Sequence, residues 1–144
     1  MKTVKQILLT KIRGAGMLTI APAASVFEAL MLMAEKNVGA LLVLEGDKLS
    51  GILSERDYAR KVILHGKSPR EIQVREIMSS NVVSVQAGQS VDECMALMTD
   101  KRIRHLPVYE NERLIGVVSI GDLVKEAISE REDIIRQLES YIRG

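Results

Sequence analysis

"GILSERDYA" (Gly51 to Ala59) and "GVVSIGDLV" (Gly116 to Val124) decide how this chain is read. Each runs glycine, two aliphatics, serine, two variable residues, aspartate, and then a helical continuation. That order predicts a short strand that ends on Ser and turns directly into a helix. The copies stand 65 residues apart, and the offset holds without a gap as the comparison moves outward. "TIAPAASVFEALMLMAEKNVGALLVLEGDKLSGILSERDYARKVI" from Thr19 lies over "SVQAGQSVDECMALMTDKRIRHLPVYENERLIGVVSIGDLVKEAI" from Ser84. Ser25/Ser90, Glu28/Glu93, Met33/Met98, Leu41/Leu106, Gly51/Gly116, Ser54/Ser119 and Asp57/Asp122 are identical pairs. An internal repeat of this length sets the organisation of the whole chain.

The lead-ins repeat as well. "VKQIL" from Val4 resembles "VREIM" from Val74 at an offset of 70, so the first copy carries five extra residues near "TKIRGAG", read as a flexible, basic loop. Within each copy a short strand (18–21; 82–86) precedes an N-cap serine. A helix follows with apolar residues at helical spacing: Val26, Leu30, Met33 and Ala34, matched by Val91, Met95 and Met98. Then come "ALLVL" or "HLPVY", a turn at "EGDK" or "ENER", and "SGIL" or "IGVV", a hairpin feeding the helix at Ser-x-x-Asp. The expected class is α+β, with two β-α-β-β-α repeats. One copy is too small to bury both faces of its sheet, so the copies are expected to pack sheet to sheet about a pseudo-twofold axis with two equivalent clefts. The boundaries read as 1–73 for the first repeat with its lead-in helix and connecting segment, and 74–128 for the second. Residues 129–144 read as a separate amphipathic tail, because "SERE" from Ser129 has the form of a capping box. In that tail Ile134, Ile135, Leu138, Tyr141 and Ile142 form an apolar stripe, either docked on its own domain or covered by a second copy.

Composition narrows the function. The 144 residues are 47% hydrophobic but only 3% aromatic, so the core is built from aliphatics and the 7 Met. A net charge of +1 gives no global attraction to nucleic acid or anionic membrane, and the chain lacks aromatic platforms for single strands. A single cysteine, Cys94, excludes an internal disulfide and suits a reducing, cytoplasmic setting. No apolar run approaches the ~18 residues of a membrane helix. No phosphate-cradling glycine loop or metal-ligand cluster is present, and His65, His105 and Cys94 give no nucleophile with an identifiable base. The residues make no case for an enzyme or a metal site.

Two readings of Ser-x-x-Asp stay open at this point. The Ser caps a helix, and an acidic residue three positions on reaches back to the Ser N–H. Alternatively the carboxylate accepts hydrogen bonds from both hydroxyls of a ribose, with the Ser hydroxyl adding a bond to sugar or phosphate. Arg56 and Arg60 on the first junction helix, and Arg104 and His105 before "LPV", are candidate phosphate partners, since the guanidinium fork donates two parallel bonds.

The tandem unit, the two glycine-to-aspartate junctions and the "RHLPV" strand resemble a pair of CBS domains, named after cystathionine β-synthase. The likeness runs from Val4 to about Ile128. It is greatest to small stand-alone bacterial members carrying "SERDYARKV", "ECMALMT", "RHLPV" and "SIGDLVK". The resemblance implies a two-repeat (Bateman) regulatory module that binds an adenine nucleotide (AMP, ATP or NAD) between its repeats, commonly as a disc-like homodimer read by an effector protein. It implies that Asp57 and Asp122 hold ribose, with Ser54 and Ser119 assisting, and that Arg104 and His105 face phosphate. It assigns the base to strand-edge residues: Ile20, Pro22, Val38 and Gly39, with the adjacent Ala40, for the Asp122 cleft; Val85, Ala87 and Ile103 for the Asp57 cleft. Gly39 and Ala40 replace the Arg-His pair in the first copy, so the clefts are expected to differ, with Arg56 and Arg60 as compensation. The alternative reading is a ligand-free dimerisation scaffold.

Overall fold

The structure is a computed structural model that describes residues 2–11 and 17–143, apart from the side chains of Lys11, Tyr141 and Arg143. The basic loop expected at "TKIRGAG" falls largely on 12–16 and lies outside the described residues. The elements are α1 (Val4–Lys11), β1 (Thr19–Ile20), α2 (Val26–Lys36), β2 (Ala40–Glu45), β3 (Lys48–Ser54), α3 (Glu55–Tyr58), α4 (Val74–Ile77), β4 (Val85–Gln86), α5 (Val91–Lys101), β5 (His105–Glu110), β6 (Arg113–Ser119) and α6 (Ile120–Arg143). They form two three-stranded sheets, β1-β2-β3 and β4-β5-β6, each with a parallel first pair and an antiparallel hairpin. The expected α+β class and the repeated unit are both present.

The registers repeat as the sequence does. Ala40 pairs with Ser54 and His105 with Ser119, and each hairpin slips at the same place, Val43/Leu44 and Val108/Tyr109. Ser25 and Ser90 cap their helices by accepting from the N–H groups of Glu28 and Glu93, each at 3.1 Å. Both helices end on a left-handed residue, Asn37 (φ 54) and Arg102 (φ 55). The first strands are shorter than read, because parallel pairing begins only at Thr19 and Val85. The buried stripes are Val26, Ala29 and Met33 in α2, and Val91, Cys94 and Met98 in α5. Ala34 is exposed, because it follows the buried Met33 by one residue and so lies about 100° around the helix from it.

The chain divides into two compact units, 18–82 and 1–17 with 83–144. The sequence reading divides the chain at residue 73 instead, which keeps each lead-in with the repeat that follows it. The first-turn N–H groups of a helix need outside acceptors, and the loop before each N-cap serine supplies them. Val4 N–H donates to the Gln89 carbonyl (2.9 Å) and Lys5 N–H to that of Ala87 (3.1 Å); Val74 and Arg75 donate likewise to Ala24 (2.8 Å) and Pro22 (3.0 Å). Thus α4 closes the core of 18–82 with Ile72, Val74 and Ile77, while α1 closes the other core with Val4, Ile7 and Leu8. The repeated glycine follows from this closure. A Cβ on Gly51 would stand 2.7 Å from the Ser79 carbonyl oxygen, and one on Gly116 would stand 3.1 Å from Leu8 Cδ2.

The expected helical tail is present, as the second half of a longer helix. No new helix begins at Ser129; α6 runs unbroken from Ile120 to Arg143. The segment after Gly121 has neither Gly nor Pro to stop it, and Ser129 is exposed on the helix surface instead of capping an end.

Candidate functional site

Each unit presents one strand-to-helix junction. In 18–82 the end of β3 brings Ser54 to the start of α3 in extended backbone (φ −119, ψ 162). The Ser54 N–H donates to Asp57 Oδ2 (2.9 Å), and the Asp57 N–H donates to Ser54 Oγ (3.1 Å), a reciprocal cap. Ser54 Oγ also donates to Oδ2 at 3.0 Å. Two further groups hold the second carboxylate oxygen. Ser79 Oγ donates to Asp57 Oδ1 (3.3 Å), and Lys61 Nζ stands 3.4 Å away while donating to the Ile77 carbonyl at 2.9 Å. The Asp57 side chain is 13% exposed. Past Tyr58 the helix widens, so that Leu64 N–H reaches the Ala59 carbonyl five residues back (3.3 Å).

The other unit repeats the cap and changes its surroundings. The Ser119 N–H donates to Asp122 Oδ2 (2.8 Å) and the Asp122 N–H to Ser119 Oγ (3.1 Å). The positions equivalent to Ser79 and Lys61 are Leu9 and Glu126, neither of which can donate to a carboxylate. Glu126 instead accepts Lys2 Nζ at 3.3 Å.

The start of the central strand is stitched to each junction. Glu55 N–H donates to the Gly39 carbonyl (3.0 Å), and Ile120 N–H to the Arg104 carbonyl (2.8 Å). In one unit this sets Gly39 and Ala40 beside Ser54 and Asp57; in the other it sets Arg104 and His105 beside Ser119 and Asp122. Arg104 is exposed and His105 half-buried. Arg56 and Arg60 are both exposed on the first junction helix, with no ion pair to Asp57; Lys61 occupies that place.

The strand-edge residues divide. Ile20, Val38, Gly39 and Ile103 are partly exposed. Pro22, Ala40, Val85 and Ala87 are buried, Val85 and Ala87 within the core of 83–144. Pro22 and Ala87 occupy equivalent positions, and their carbonyls already accept from Arg75 and Lys5. Sequence reasoning missed Lys61 and Ser79. Lys61 is visible in retrospect as the i+4 cation of Asp57. Ser79 is not, because its equivalent Leu9 lies inside a helix, whereas Ser79 has left α4 and pairs with Ile52 of β3.

Among the described residues no cluster of three His, Cys, Asp or Glu side chains could hold a metal, and no helix is long and apolar enough to cross a membrane. Cys94 is fully buried in α5. Desolvation first, and the neighbouring Glu93 charge second, push its thiol up from the ordinary value, which opposes thiolate formation.

Comparison with known proteins adds four findings. The model of the family described as "CBS domain" matches residues 4–64 and 74–129. A CBS domain-containing protein of Arabidopsis thaliana, CBSX3, mitochondrial, is 41% identical over 125 residues, which cover 83% of this chain and 61% of that protein. This chain therefore spans less than two thirds of that relative. A solved structure of a protein with CBS domains from Burkholderia ambifaria MC40-6 is 52% identical, with a TM-score of 0.84 and coverage of 89% of this chain and 95% of that one. At 24% identity the fold also matches the CBS domain pair of protein MJ0100, solved with 5′-methylthioadenosine and S-adenosyl-L-methionine (TM-score 0.76; 90% of this chain, 98% of that one).

Proposed function

The chain belongs to the CBS-domain family, and from that premise we propose that it is a regulatory module sensing an adenine nucleotide, with the Asp122 junction as its principal site. The observation that carries this reading is local to one unit. The Ser119–Asp122 cap and the Arg104–His105 pair stand at one end of the sheet, joined by the His105/Ser119 pairing and the Ile120-to-Arg104 hydrogen bond. A carboxylate and a hydroxyl suit the two hydroxyls of a ribose, and a guanidinium with an imidazole suits the phosphate that follows the sugar. The MJ0100 pair, alike in fold only, was solved with two adenosine derivatives whose 5′ substituent carries no phosphate. The basic pair here favours an anionic 5′ group (AMP, ATP or NAD) over those. A homodimer is the proposed assembly, read by an effector protein.

Thermal shift with AMP, ADP, ATP, NAD and 5′-methylthioadenosine tests the proposal. A ligand at about 100 times its Kd stabilises the native state by roughly 2.7 kcal/mol, and the phosphorylated ligands should shift the midpoint most. Absence of any shift would remove the sensor and leave the second reading, a ligand-free scaffold. That reading has its own observation: both aspartates fold back on their serines as helix caps.

A further inference from the structure

We propose that the exposed stretch of α6 pairs antiparallel with α6 of a second copy of this chain. The helix is 24 residues long, and after Ile128 the described side chains are exposed with the single exception of Glu130. Its apolar face is therefore uncovered: Ile128 is 55% exposed, Ile135 48%, Leu138 58% and Ile142 83%. Together with Val124 these residues recur at alternating steps of four and three, with Arg131 filling the one polar step. That period of 3.5 is the seam of a two-helix coiled coil, not the wider stripe of a helix lying on a globular core.

The charges choose the occupant and its direction. In a parallel pair each seam residue meets its own copy, which sets Arg131 against Arg131 inside the contact. The flanking positions then offer no pair of opposite sign, because Ala127 and Ile134 face Glu132 and Glu139. Run antiparallel, Val124 meets Ile142, Ile128 meets Leu138, and Arg131 meets Ile135, whose surface its stem can cover while its guanidinium reaches water. The flanking Lys125 then meets Glu139, once at each end of the pair. Of the charged flanking residues only Glu132 faces its own copy, and within each helix it stands 3.8 Å from Arg136, which offsets the repulsion. The face is thus self-complementary in one direction, which is what a twofold contact between identical chains requires.

Sedimentation equilibrium of the full chain, without added nucleotide, tests this separately from the sensor reading. The expected result is a dimer that Leu138→Glu converts to monomer with unchanged helical circular dichroism. Lys125→Glu and Glu139→Lys should each weaken the dimer by roughly threefold to thirtyfold, and the two together should restore it. Mixed Ile128→Cys and Leu138→Cys chains should cross-link to each other on oxidation, whereas Leu138→Cys alone should not. A monomeric wild type, a dimer that survives Leu138→Glu, a charge swap that fails to restore, or ready cross-linking of Leu138→Cys with itself would each overturn the pairing.

Discussion

Asp57 and Asp122 occupy the same position in the repeat and make the same cap, yet the groups around them differ. At Asp57 one carboxylate oxygen serves the cap and the other meets Ser79 and Lys61 inside its own unit. At Asp122 the corresponding positions are Leu9 and Glu126, and the neighbouring strand brings Arg104 and His105 instead of Gly39 and Ala40. The lesson is that a repeated motif fixes a backbone, while the residues around it set the surroundings of each carboxylate. In this chain the first copy spends its aspartate on holding the unit together. The second places it beside Arg104 and His105.

The largest expected effect breaks that asymmetry directly. On the proposed reading Asp122→Ala removes two charge-assisted bonds to ribose, each worth about 1.5–3 kcal/mol, so affinity for a responding nucleotide should fall at least a hundredfold by titration calorimetry. Asp57→Ala should leave that affinity within a few fold. Its expected cost is in stability, about 1–2 kcal/mol for the lost cap, measured by urea unfolding. Equal loss of binding in both variants would mean that the junctions are equivalent.

A smaller effect separates the two closures of the core. A methyl on Gly51 meets backbone, the Ser79 carbonyl at 2.7 Å, together with Met78 Sδ at 2.9 Å. A methyl on Gly116 meets only the end of the Leu8 side chain, at 3.1 Å. Overpacking against backbone forces the segment to move, whereas a leucine methyl can rotate aside. Gly51→Ala should therefore cost about 1–3 kcal/mol and Gly116→Ala less, which paired denaturant melts would resolve.

The repeat made the fold legible, because an offset of 65 carries strands, caps and bulges across both copies unchanged. The junction serines and aspartates were legible as chemistry for the same reason. What escaped was any feature set by contacts distant in sequence. The lead-ins "VKQIL" and "VREIM" look alike, but only coordinates show that Val4 closes the core of 83–144 and Val74 that of 18–82. The capping-box pattern "SERE" was legible and unused, since a local signal cannot end a helix whose neighbours all favour continuing it. Ser79 was hidden because its role depends on α4 ending after Ile77, four residues earlier than α1 ends relative to the repeat.

The smallest expected effect isolates the lock on Asp57. Lys61 Nζ is 3.4 Å from Asp57 Oδ1, but its side chain is 45% exposed, so water screens the pair. It also donates to the Ile77 carbonyl at 2.9 Å, which closes the end of α4. Lys61→Met keeps the stem and removes both interactions, and should lower stability by no more than about 1 kcal/mol. The informative comparison is with Ser79→Ala in the same background. If Lys61 and Ser79 together hold the second oxygen, the double change should cost more than the sum of the single ones, because the part-buried carboxylate then loses every donor to that oxygen within its unit apart from water. Strict additivity in that cycle would show that Ser79 alone, or the cap alone, fixes Asp57. The contrast with Asp122 would then shift to the neighbouring strand, Arg104 and His105 against Gly39 and Ala40.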